Sequence, residues 1–147
     1  MKSKTVFLIF LIAFSGLVNA QGASTNLELE VVRAEPMPLE AGEYADLWIR
    51  ITNTGSTDAS NPSFELVDEY PFKGTEKTEW SPNGGLAAGE TITWRTQVRV
   101  NENAVFGQNN LKVRKTSGNN DVWIEDRLNL SVRTDDRSLV VSNLDFP

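Results

Sequence analysis

The sequence contains no cysteine and no histidine. The first absence excludes disulfides, a thiolate nucleophile and cysteine-based zinc sites; the second removes the base of a Ser-His-Asp triad. Small exported domains often rely on disulfides, so a chain without them must be held by core packing and sheet hydrogen bonds, and this favours a prokaryotic surface over an animal extracellular protein. Basic residues are also in deficit, 14 against 20 acidic ones, for a net charge of −6. An acidic chain repels phosphate backbones and anionic lipid heads, which argues against nucleic acid and bare membrane surface as partners. There is no glycine-rich phosphate loop; Asn83-Gly84-Gly85 is a lone glycine pair in a turn-like stretch.

Long apolar runs are confined to the N-terminus. Lys2 and Lys4 precede the unbroken run Val6 to Phe14, Leu17 and Val18 extend it, and Val18-Asn19-Ala20 sets compact residues before Gln21. This is the pattern of a secretory signal peptide over residues 1–20, with cleavage expected after Ala20. The run is shorter than the ~20 apolar residues of a comfortable membrane span. An uncleaved anchor is the alternative, and both place the remainder outside the cytoplasm. Without Lys2 and Lys4 the balance is 12 basic to 20 acidic residues. The length left is that of one domain of ~100–150 residues with its own core.

From residue 27 onward hydrophobicity alternates with period two. Leu27, Leu29 and Val31 share one parity, as do Ala45, Leu47, Ile49 and Ile51; Phe64 and Leu66; Ile92, Trp94, Val98 and Val100; Leu111 and Val113; and Val122, Ile124, Leu128, Leu130 and Val132. Strict alternation marks antiparallel strands with one buried face. Glu35-Pro36-Met37-Pro38, Asn53-Thr54-Gly55-Ser56, Asn61-Pro62 and the hairpin-like Ser117-Gly118-Asn119-Asn120 punctuate the runs. No helical periodicity follows the signal. The expected fold is an all-β immunoglobulin-like β-sandwich of about seven antiparallel strands over residues 21–135.

Three local features refine this. Leu39-Glu40-Ala41-Gly42-Glu43 and Leu86-Ala87-Ala88-Gly89-Glu90 are near-repeats, each followed by apolar residues at matching offsets, so one turn type is expected to launch two strands. Asp126 has the parity of its apolar neighbours, which predicts a bulge, a bend or passage over a sheet edge there. Leu139-Val140-Val141 and Asp145-Phe146-Pro147 loosely repeat Leu29 to Pro36; residues 136–147 read either as a linker with an ordinary last strand or as the start of a second, similar domain.

The ordered set Gly42-Glu43, Asn53-Thr54-Gly55, Ala59, Asn61, Phe64-Glu65-Leu66, Tyr70-Pro71-Phe72, Leu86 to Glu90, the strand Thr91 to Val100 and the closing strand Leu128 to Val132 resembles the immunoglobulin-like surface domains of archaea and bacteria. It is similar to the archaeal S-layer-like group and to the bacterial adhesion-related domain called CARDB, over roughly residues 27–133. The resemblance implies a seven-strand sandwich in an envelope protein, often in tandem and often anchored at the far end, with no catalytic residues to carry over. A C-terminal anchor is missing from this sequence and only one full domain is visible, so membrane attachment would need an uncleaved signal or a missing anchor.

Carboxylates are the remaining chemistry. Asp68-Glu69 and Asp135-Asp136 are adjacent and point to opposite faces if extended, which argues against a glycosidase pair. Calcium could be held by Asn119, Asn120 and Asp121, or by Asp135 and Asp136, but no Asp-x-Asp-x-Asp-Gly loop is present and no cofactor is expected. Trp94 is expected in the core. Trp48, Trp80 and Trp123 are candidate ligand or interface aromatics; Trp80, Tyr70 and Phe72 are otherwise expected to fold back over the sheet, with Tyr70-Pro71-Phe72 plugging one end of the sandwich. Asn129-Leu130-Ser131 is an N-glycosylation sequon on an outward-facing Asn129. The function expected is a non-enzymatic, exported envelope module with a structural or adhesive role. Its partners would be other envelope proteins or copies of itself; the alternative is carbohydrate binding through Trp residues, with surface glycans as the ligand.

Overall fold

The computed structural model describes residues 22–119 and 122–134. The signal and its cleavage site, Asn120, Asp121, Asp135, Asp136 and the second-domain candidate 136–147 lie outside the described residues. Two sheets face each other. One contains β1 (Leu27–Glu35), β3 (Tyr44–Asn53), β7 (Thr91–Val100) and β5 (Phe72–Glu76), in the order β1-β3-β7-β5. The other contains β2 (Leu39–Glu40), β9 (Ile124–Arg133), β8 (Gly107–Thr116), β4 (Ser63–Val67) and β6 (Glu79–Trp80), in the order β2-β9-β8-β4-β6. No helix occurs among the described residues. This is the expected immunoglobulin-like sandwich, with seven strands of five residues or more. One pairing departs from expectation: β2 runs parallel to β9.

The alternating residues fill the space between the sheets. Leu47, Ile49 and Ile51 of β3 and Trp94, Val98 and Val100 of β7 face Phe64, Leu111, Val113, Leu130 and Val132 of the other sheet, all essentially inaccessible to solvent. Each such side chain contributes about 1.5–3 kcal/mol by leaving water, which is how a chain of this size dispenses with disulfides.

The near-repeats do launch two strands through the same turn. The Glu43 amide donates to the Glu40 carbonyl and the Glu90 amide to the Ala87 carbonyl. Gly42 and Gly89 occupy equivalent positions with φ of 82° and 80°, where a Cβ would be strained.

Three corrections follow from the geometry. The β1–β3 register slips between Val31 and Arg33. This bulge flips the phase, so Arg33 faces out and Ala34 is buried. The segment after Tyr70 is not a covering loop: β5 joins the first sheet beside β7, and β6 crosses to the second beside β4. Nor is there a bulge at Asp126, since β8 and β9 stay in register from Gly107↔Val132 to Lys115↔Ile124. Asp126 instead sits where β9 has no outer neighbour, because β2 covers only Val132 and Arg133.

Asn53 is the fully buried polar hub of this fold. Its Nδ2 donates to the carbonyls of Thr57 (2.9 Å) and Leu86 (3.1 Å), and its Oδ1 accepts from the Gly55 amide at 3.1 Å. One side chain thereby ties the turn after β3 to the segment that leads into β7.

The strands define two poles. At the amino-terminal pole lie the start of β1, the 54–62 and 84–90 turns and the β8–β9 loop. At the carboxy-terminal pole lie the 41–43, 68–71 and 101–106 turns and the end of β9.

Candidate functional site

At the amino-terminal pole Val122, Trp123 and Ile124 lead into β9, and all three are exposed. The parity of Val122 and Ile124 predicts burial with Leu128 and Leu130; the structure places them beyond the end of the core. Their alternation splits them between two concavities. Val122 and Ile124 line one of about 360 Å³ together with Leu27, Lys115 and Asp126. Trp123 lines the other, of about 240 Å³, with Ser63, Glu65, Glu79, Trp80 and Ser81. The segment is therefore an apolar ridge between two hollows. Trp123 is steadied by Arg114, whose guanidinium lies 4.9 Å from the ring centroid and also pairs with Glu65 at 2.5 Å.

The other sequence candidates are placed differently. Trp48 is on the outer face of the first sheet, as its parity predicts, but its ring is engaged by Arg33 from β1 and Arg95 from β7, at 4.6 and 5.0 Å from the centroid. The β1 bulge brings Arg33 into that row. Trp80 is not an open platform. It stacks on Trp94, centroids 6.3 Å apart and planes within 9°, and meets Phe64 at 5.9 Å. Trp94 is core, as expected, and donates from Nε1 to the Lys77 carbonyl at 3.0 Å.

Of the Tyr70-Pro71-Phe72 plug, Pro71 and Phe72 are buried, whereas the Tyr70 ring is exposed and its hydroxyl donates to the Asn103 carbonyl. Asn129 is exposed on β9, opposite Asn110. Asn119 is committed to structure: Oδ1 accepts from the Ser60 amide and hydroxyl at 2.9 and 2.7 Å, and Nδ2 donates to the Asp58 carbonyl at 3.0 Å. Among the described residues no three His, Cys, Asp or Glu side chains gather into a metal-binding group.

The sheet faces carry paired charges. Arg50–Glu30 and Arg95–Asp46 lie on the first, at 2.5 and 3.1 Å; Lys112–Glu125 and Arg127–Glu69 lie on the second, both at 3.2 Å. Exposed pairs of this kind contribute about 0–1 kcal/mol each. They make the broad faces polar and leave the ridge as the apolar surface of the amino-terminal pole. The signal that could have located it is Asp126: a charged residue in the apolar register marks where the core stops, so the apolar residues before it cannot be core.

No protein-family profile matches the chain. It is 31% identical over 106 residues to an uncharacterized protein of Methanocaldococcus jannaschii, a match covering 67% of this chain and 17% of that protein. The chain thus spans about a sixth of that relative's length. Among solved structures, the ASH/PapD-like domain 7 of human CEP192 matches with a TM-score of 0.39 and 15% identity over 78% of this chain and 88% of that one. Pseudomonas fluorescens alkylpurine DNA glycosylase AlkC, bound to DNA containing an abasic site analog, matches with a TM-score of 0.34 and 12% identity over 69% of this chain and 30% of that one. Likenesses this distant carry no functional argument, and the fold assignment rests on the two sheets themselves.

Proposed function

We propose that this chain is a non-catalytic module of an exported cell-envelope protein, of the archaeal and bacterial immunoglobulin-like surface kind, which holds a neighbouring envelope protein or another copy of the domain through its amino-terminal pole. The observation that carries the reading is the Val122-Trp123-Ile124 ridge, three consecutive exposed apolar residues on a sandwich whose broad faces are polar. Apolar patches of this kind mark interaction surfaces, and Trp is a frequent anchor of such contacts. The secretory pattern of residues 1–20 and the absence of histidine and cysteine agree with this role, as does a relative in an archaeon. Fractionation of the native host tests it: the protein is expected in the envelope fraction, and Trp123→Ser with Ile124→Ser is expected to release it without lowering its thermal midpoint. Recovery from the cytosol, or unchanged envelope retention of the variant, would overturn it.

A second reading has a specific support. The hollow beside Trp123 combines an aromatic wall with Ser63, Glu65, Glu79 and Ser81, a composition suited to a sugar ring. Retention on a polysaccharide that Trp123→Ala abolishes would favour it over protein contact.

A further inference from the structure

Asn83 is the one asparagine in the sequence that precedes a glycine. The chain on either side of this pair is anchored. Trp80 is paired with Phe64 in β4, and the Ser81 and Ser63 hydroxyls share a hydrogen bond of 2.6 Å. Beyond the pair, the Leu86 amide and carbonyl both bond Ala59, each at 2.9 Å. Gly85 lies so close to that segment that a Cβ on it would come within 2.6 Å of the Ala59 carbonyl oxygen. Between these anchors Asn83 and Gly84 are exposed, and neither the Asn83 side chain nor the Gly84 amide has a hydrogen-bond partner among the described residues. A Cβ on Gly84 would meet nothing within 4 Å.

Other asparagines are placed differently. Asn53 is buried with both ends of its amide bonded. Asn26, Asn109 and Asn119 each donate Nδ2 to a partner in the fold. Asn103, Asn110 and Asn129 precede Ala or Leu, whose Cβ crowds the ring that attack by the next backbone nitrogen must close.

We propose that Asn83 is a site of spontaneous intramolecular deamidation. Hydroxide takes the proton of the Gly84 amide, and the nitrogen attacks Asn83 Cγ. The N–Cγ bond forms, the Cγ–Nδ2 bond breaks, and Nδ2 leaves as ammonia, taking one proton from water. The succinimide so formed adds water at either carbonyl and opens to Asp or to isoaspartate. In sum, a side-chain amide and one water become a carboxylic acid and ammonia. Groups on adjacent residues react without an encounter step, and glycine supplies the backbone freedom that ring closure uses. Because the anchors hold on both sides of the pair, the ring forms in the folded chain. Each conversion adds one negative charge to a chain already at −6. The charge appears at the pole that carries the ridge, so the surface a partner meets there changes with the age of the chain. The reaction itself needs no partner and stands apart from the envelope reading.

Peptide mapping of the full chain, aged at mildly alkaline pH, tests this. Asn83 is expected to convert at least about tenfold faster than any other asparagine, the ratio given by a barrier lower by about 1.4 kcal/mol. The rate is expected to rise with hydroxide concentration, and the products to include isoaspartate, scored by methylation with an isoaspartyl methyltransferase. Asn83→Gln, which has to close a six-membered ring, is expected to abolish the new acidic species. An Asn83 that keeps its amide in the folded chain while a free peptide of residues 79–88 converts would overturn the inference, because the turn would then hold nitrogen and carbonyl carbon apart. So would conversion spread evenly over the asparagines, or acidic species that persist in Asn83→Gln.

Discussion

Lys115 and Asp126 meet at 2.5 Å on the core-facing side of β8 and β9, and the same ammonium donates to the Leu27 carbonyl on the opposite sheet. The lysine side chain is 12% exposed and the aspartate 28%. One cation thus neutralises the carboxylate in the apolar register of β9 and ties the two sheets together at the rim. Removing one partner leaves the other charge largely desolvated, whereas replacing both by apolar groups does not. Asp126→Ala is expected to cost about 1–3 kcal/mol, below the fully buried case because the rim admits water. The double variant Lys115→Met, Asp126→Leu is expected within about 1 kcal/mol of the unmodified protein. Urea denaturation of the three chains decides this; equal losses for single and double variants would show that the pair is not coupled.

Asn53 should be among the least replaceable polar residues. Asn53→Ala strands the Gly55 amide and the Thr57 carbonyl and removes one of two donors to the Leu86 carbonyl, which keeps the Ala59 amide at 2.9 Å. The expected loss is about 2–4 kcal/mol, given the cost of buried groups without partners. Asn53→Asp should do no better, because it removes both donors and buries a charge. Chemical denaturation midpoints are the measurement, and a shift below about 1 kcal/mol would contradict the hub role.

Gly118 and Gly84 share a positive φ, 74° and 84°, but differ in what surrounds them. A Cβ on Gly118 would lie 2.2 Å from the Asn61 carbonyl oxygen, whereas one on Gly84 meets nothing within 4 Å. Gly84→Ala should cost only the backbone strain of about 1–2 kcal/mol. Gly118→Ala must in addition push the 59–62 segment away, and should cost at least about 3 kcal/mol. Thermal midpoints compared side by side read the difference; equal shifts would mean that the Asn61 contact gives way freely.

The tryptophans should separate stability from binding. Trp80→Ala removes a ring stacked on Trp94 and packed on Phe64, with an expected loss of about 3 kcal/mol and a change in Trp94 fluorescence. Trp123→Ala is expected within about 1 kcal/mol of the unmodified protein, yet to abolish whatever the ridge binds. Trp48→Ala should leave that binding unchanged, because Arg33 and Arg95 already engage its ring. Denaturation curves with a retention assay on the three variants test this; loss of binding in Trp48→Ala alone would move the site to the first sheet.

Alternation made the core of β3, β7 and β8 legible, since every second residue there has one fate. The turns into β3 and β7 were legible because glycine at the same place in two similar pentapeptides has one conformational reason. What escaped depends on partners rather than on period. The β1 bulge inserts one residue and inverts the parity after Val31. The crossing of β5 and β6 is set by which sheet edge is open, and so is the parallel placement of β2; no local pattern records either. Asp126 carried a real signal, but its partner Lys115 is eleven residues away and becomes its neighbour only when the β8–β9 hairpin closes. For the candidate site, Trp123 could be named from composition, while Val122 and Ile124 were hidden by sharing the register of the buried leucines.

The first strand is split between the sheets, β1 in one and β2 in the other, and β2 lies parallel to the last residues of β9. Leu27 and Thr134 stand at opposite poles, so a pull on the two ends would run lengthwise through the sandwich. That load falls first on the Leu39–Ala41 stretch, where the Ala41 amide holds the Arg133 carbonyl at 3.0 Å and Glu40 pairs with the Arg133 guanidinium. Links that lie across a lengthwise load must shear together rather than open one at a time, so this short splice sets the tension at which β9 would come away.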